Sequence, residues 1–121
     1  MRNLSCILLS VFAVVQANLT AAPTNSWTKA TSGNWEEPFW SLGVLPSISQ
    51  GAIELRNPGF KALAIAPSTT ANYPGSLSIQ NLTVDAPDGS ANQLLLNYVG
   101  LNVPLNVSGD FVLGPNASLV S

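Results

Sequence analysis

Ser76–Ala86, SLSIQNLTVDA, carries the pattern on which the fold turns. Leu77, Ile79, Leu82 and Val84 alternate with polar neighbours in two short pieces, and Gln80-Asn81 interrupts them. Alternation with a period of two marks a half-buried strand, so an apolar face that stops and restarts marks a bend between two strands. Pro104–Gly114, PLNVSGDFVLG, repeats the scheme about 28 positions later, with Leu105, Val107, Phe111 and Leu113 apolar and Ser108-Gly109-Asp110 at the bend. Self-similarity at a period of ~20–50 residues is the signature of stacked coils.

The neighbouring sequence follows the same grammar. Ala52–Arg56 alternates and stops at the turn Asn57-Pro58-Gly59. Phe60–Ala66 is a second apolar run ended by Pro67, Ser68–Gly75 is polar with Tyr73-Pro74-Gly75 as a turn, and Asp85–Ser90 is another turn. Leu94–Val99 is an apolar strand closed by Gly100, and ASLVS at 117–121 begins a further one. Outside the first residues no window shows the i, i+3, i+4 spacing of a helix. The mature chain is therefore expected to be all-β: the start of a parallel β-helix or solenoid whose interior is a stack of Leu, Ile and Val. The alternative is a β-sandwich or jelly roll, which needs longer strands and regular hairpins. Asp88-Gly89 is the one hairpin-type dipeptide.

The amino terminus reads as a signal-peptide helix over 1–17. Arg2 precedes the apolar run Cys6–Val15, and Val15 and Ala17 supply the small residues for cleavage near Ala17. That run is shorter than the ~20 residues of a spanning helix, so no integral membrane segment is expected in the mature chain. The chain is expected to be secreted or at the cell surface. Its single cysteine, Cys6, leaves with the leader, so no disulfide supports the domain.

Only 8% of residues are charged, with net charge −2. After Arg2 the basic residues are Lys29, Arg56 and Lys61, too few and too scattered to neutralise phosphates, which argues against nucleic acid as a partner. There is no histidine, no mature thiol and no glycine-rich phosphate loop, so no cofactor or metal is expected. Glu36 and Glu37 are adjacent and would point to opposite sides of an extended segment. Asp85, Asp88 and Asp110 are accounted for as turn residues, although Asp85–Ser90 faintly resembles an oxygen-ligand calcium loop. No catalytic residue is assigned. Asn18, Asn81, Asn106 and Asn116 each begin an Asn-x-Ser/Thr triplet, which would matter only in a eukaryote.

The remaining feature is Ser26–Pro46, SWTKATSGNWEEPFWSLGVLP. Through Trp27, Gly33, Asn34, Trp35, Trp40, Ser41, Gly43 and Pro46 it resembles the entry module of exported bacterial β-solenoid proteins of the autotransporter-associated β-strand repeat type. The resemblance covers most of the mature chain and implies a surface or secreted β-helix, supplying no catalytic residues. Members usually continue far beyond this length. The expected organisation is a polar lead at 18–26, an aromatic cap at 27–46 and solenoid coils at 47–121, incomplete at the carboxyl terminus.

Physically, the block suits a cap. An open solenoid end exposes apolar surface and strand edges, and Trp27, Trp35, Phe39 and Trp40 can each bury ~150–250 Å². Gly33 and Gly43 would permit tight turns, Asn34 a left-handed residue, and Pro38 and Pro46 would discourage strand addition. The expected function is an exported, non-enzymatic scaffold serving adhesion, with a polysaccharide or surface partner and self-association through the open carboxyl-terminal coil. One alternative is a secreted carbohydrate-binding module using Trp27, Trp35 and Trp40. Another is a fragment of a polysaccharide-degrading β-helix enzyme with catalytic coils beyond residue 121. Exposed indoles would favour sugar binding and buried ones the cap.

Overall fold

The computed structural model describes residues 22–96 and 104–121; the leader at 1–17 and the second half of the Leu94–Val99 run lie outside them. The described residues are predominantly strand, and every ladder among them is parallel. One sheet runs β1 (Thr24–Ser26), β3 (Ala52–Leu55), β6 (Leu82–Val84), β9 (Phe111–Leu113). A second runs β2 (Gly33–Asn34), β4 (Phe60–Ile65), β7 (Ala91–Leu96), β10 (Ala117–Val120). β5 (Ser78–Ile79) and β8 (Asn106–Val107) form a third, two-stranded sheet. The strands of the two larger sheets alternate along the chain, so hairpin pairing of neighbours, which a sandwich requires, is not what these strands do.

The registers make the repeat explicit. Thr24 pairs with Ala52, an offset of 28, while Ile53 with Leu82 and Leu82 with Phe111 are each offset by 29. In the second sheet Gly33 pairs with Leu63 and Phe60 with Ala91, offsets of 30 and 31. Ser78 and Asn106 are 28 apart, the spacing of the two quoted segments. The last pairing, Asn92 with Ala117, is 25, because only Gly114–Asn116 separates β9 from β10.

In-register parallel pairing places each inward residue beside its counterpart on the neighbouring strand. Ile53, Leu82 and Phe111 form one row, Leu55, Val84 and Leu113 another, and Leu63, Leu94 and Leu119 a third. The first two members of each row are buried; Phe111, Leu113 and Leu119, on the outermost described strands, are 42%, 46% and 42% exposed. Side-chain amides tie the circuits together. Asn57 donates to the Lys29 carbonyl, Asn81 to Gly51 and Asn116 to Ala86, while Asn92 donates to both Asn57 and Asp85. Two of the Asn-x-Ser/Thr asparagines, Asn81 and Asn116, thus have their amides engaged within the fold.

Two local elements depart from the expectation. The stretch around Ser68–Gly75, expected to be polar with a turn at Tyr73-Pro74-Gly75, forms a short helix, α1 (Pro67–Asn72), and a 3₁₀ turn over Pro74–Leu77. Pro67 opens the helix without needing an N–H partner, and Pro74 follows its end. The Thr69 hydroxyl accepts from the Ala66 N–H at 3.2 Å. Six residues are too few to display an amphipathic period, and only Thr69 is buried.

The second departure is in β4. Leu63 and Ile65 fix its inward parity, which turns Phe60 out and Lys61 in. The Lys61 Nζ donates to the carbonyls of Asn57 at 3.0 Å and Pro58 at 3.1 Å, with no carboxylate beside it among the described residues. Burial holds its pKa below the ordinary lysine value. The unfolded chain therefore binds more protons than the folded one between the two pKa values, and stability should rise as pH climbs through that window. Lys61→Met lacks this gain, and at neutral pH it should be at least as stable as the native chain. Paired urea midpoints from neutrality to pH 10.5 measure the difference; parallel profiles would refute it.

Candidate functional site

The aromatic segment folds back against β1. An isolated antiparallel bridge between Trp27 and Trp40 folds Phe39–Leu42 along the side of β1 that β3 does not occupy. Ser41 N–H donates to the Ser26 carbonyl at 2.8 Å, the Ser41 hydroxyl accepts from Ser26 N–H at 2.9 Å, and Thr28 N–H donates to Phe39 at 2.8 Å. The Asn25 side chain, fully buried, accepts from Leu42 N–H and donates to Val44 and Gln50. An edge that would otherwise offer unpaired ladder groups is consumed by the chain's own loop.

Trp27, Trp35 and Trp40 are 2%, 0% and 4% exposed. Their rings meet edge to face, with centroids 5.3 Å apart for Trp27–Trp40 and 5.2 Å for Trp35–Trp40. The Trp35 indole donates to the Ser76 hydroxyl and the Trp40 indole to the Trp35 carbonyl, each at 2.8 Å. These indoles are core. They present no free face on which a pyranose could stack, so the sugar platform of the carbohydrate-binding alternative is not formed by Trp27, Trp35 and Trp40.

The rest of the segment corrects several expectations. Phe39 is 37% exposed; it packs at the edge of Trp27, with the Lys29 Nζ 4.8 Å from its ring centre, and does not plug the core. Asn34 needs no left-handed backbone, since no described non-glycine residue has positive φ. Gly43 does have φ +74°, as a tight turn requires. Gly33 serves another purpose: a Cβ there would lie 2.9 Å from the Trp27 ring.

Glu36 and Glu37 diverge, as adjacent residues should. Glu37 accepts from Asn34 N–H at 2.6 Å and pairs with Lys29 at 3.0 Å, and these two partners hold its pKa below the ordinary carboxylate value. Glu36 accepts from the Thr69 hydroxyl at 2.7 Å. It lies in the wall of an open cleft of about 370 Å³ whose other walls include Pro38, Trp40, Val44, Leu45 and Tyr73. Tyr73 enters from the end of α1, 37 positions away in sequence, and its ring is 44% exposed. Sequence reading places Tyr73 in a turn and misses it; only the pairing of a turn tyrosine with the preceding short helix could have flagged it.

The remaining carboxylates do not converge. Asp85 accepts from Ala86 N–H, Asp88 lies 3.4 Å from the Asn116 amide, and Asp110 meets Asn81 through its backbone. Among the described residues no three of His, Cys, Asp and Glu gather where they could hold a metal ion, and no helix is long and apolar enough to cross a membrane. Comparison with known protein families, curated proteins and solved structures gives no match to this chain.

Proposed function

We propose that the chain is the capped beginning of an exported β-solenoid that acts as a non-enzymatic scaffold outside the cell. The observation that carries this reading is the asymmetry between two ends of one parallel stack. At the first end three buried indoles and the 39–42 segment cover core and strand edge together. At the other, β9 and β10 are the outermost strands of their sheets, and Phe111, Leu113 and Leu119 extend the inward rows into solvent. A stack closed at one end and apolar at the other is built to receive more strands. The resemblance of Trp27–Pro46 to solenoid entry modules points the same way, and the leader-like sequence of residues 1–17 supports work outside the cell.

Both halves of the reading are testable. Expressed from Met1 in a bacterial host, the protein is expected in the exported fraction, with a mass lowered by residues 1–17. An uncleaved chain confined to the cytoplasm would overturn the export half. The exported protein should self-associate with rising concentration in sedimentation velocity. The double variant Phe111→Lys, Leu119→Lys should stay monomeric, since charges on an edge block strand addition. A native chain that is monomeric at every concentration tested would remove the receptive end.

A further inference from the structure

The geometry points to the Glu36–Tyr73 cleft as a binding site for a small primary alkylammonium compound. Three observations select that chemistry. First, the carboxylate is held in place but not neutralised. One Glu36 oxygen accepts from Thr69 Oγ1, which is itself engaged by Ala66 N–H, and no protein donor among the described residues meets the other oxygen. Every basic side chain among the described residues is occupied elsewhere: Lys29 on Glu37, Arg56 on Glu54, Lys61 on two carbonyls. A cation for Glu36 must come from outside.

Second, the cleft around that charge is hydrocarbon. Pro38, Val44 and Leu45 line it, and the Trp40 N–H is already spent on Trp35, which leaves the Tyr73 phenol as the other polar side-chain group in the wall. A sugar ring carries hydroxyls all round and would find few partners here. An alkylammonium ion carries one charged head and an apolar body, which is what the wall complements. Third, Tyr73, a partly exposed residue, brings an aromatic ring into the wall of the same cleft, and aromatic rings attract cations. At about 370 Å³ the cleft sits at the lower end of the small-ligand range.

The test is an amide chemical-shift titration of the purified protein with n-butylammonium chloride, against n-butanol, sodium chloride and cellobiose. Saturable shifts are expected at residues 36–45 and 73 with n-butylammonium, with on the order of five- to tenfold preference over n-butanol. Glu36→Gln keeps the Thr69 hydrogen bond and should erase that preference. Val44→Arg, at an exposed wall position, offers the carboxylate an internal cation and should abolish binding without touching the core. Equal binding of n-butanol, shifts mapping outside the cleft, no saturable shift, or cellobiose moving the same amides would each overturn the assignment. So would an unchanged preference in Glu36→Gln.

Discussion

Trp35→Ala should cost about 3–5 kcal/mol and lower Tm on the order of 15 °C. The indole is fully buried, lies against Trp40, and spans from the cap to Ser76 through its N–H. Truncation opens a cavity at the closed end of the stack and leaves the Ser76 hydroxyl buried without its donor. Domains of this size hold only ~5–15 kcal/mol in total, so the variant is expected to be close to unfolding at room temperature. Urea and thermal melts followed by tryptophan fluorescence and circular dichroism measure it. Trp35→Phe keeps most of the ring and removes the hydrogen bond, so it should lose roughly 1–3 kcal/mol. Phe39→Ala, on the half-exposed residue of the same segment, should lose clearly less than Trp35→Ala. Equal losses at 35 and 39 would mean that the cap is not where the stability lies.

The second large effect is expected from a single methyl group. Gly59 has φ +127°, and a Cβ on it would overlap the Ala30 carbonyl oxygen of the preceding circuit. Its N–H donates to the Ser90 hydroxyl and its carbonyl accepts from Ala91 N–H, so the residue is held from both sides. Gly59→Ala combines backbone strain of ~1–3 kcal/mol with overpacking of ~1–3 kcal/mol against a backbone that cannot step aside. Two other glycines separate these contributions. Gly43 has φ +74° and open space for 4 Å around the position a methyl would take, so its alanine variant carries strain alone. Gly75 has neither problem and should tolerate alanine. A ranking of Gly59 above Gly43 above Gly75 in denaturant midpoint loss is the expected outcome. If Gly59→Ala were no worse than Gly43→Ala, the circuits would not be in van der Waals contact at that turn.

The pattern in Leu77–Val84 and Leu105–Leu113 is sufficient to find the strands and their spacing, because hydropathy alternation and repeat length are both local properties. The parallel pairing of those segments at offsets of 28 and 29 follows from them. What escapes the sequence is decided by neighbours. Lys61 faces inward because Leu63 and Ile65 set the parity, although its own polarity argues for solvent. Phe60 is exposed for the same reason. α1 is too short to leave a period, and Tyr73 reaches the Glu36 cleft only because that helix and the proline after it turn the chain back. Phe111 and Leu113 have the inward pattern but sit on the outermost described strand of their sheet and stay exposed. The aromatic segment is readable as cap or as platform from composition alone, and the burial of its three indoles tells against the platform.

The Trp35 hydrogen bonds have a consequence for the order of events as the chain is made. Its amide reaches Ala64 and its ring reaches Ser76, both about a full circuit or more downstream. On a polypeptide emerging from its amino terminus, the indole bond cannot close until residue 76 is out. One indole thus joins the aromatic segment to chain made 41 residues later.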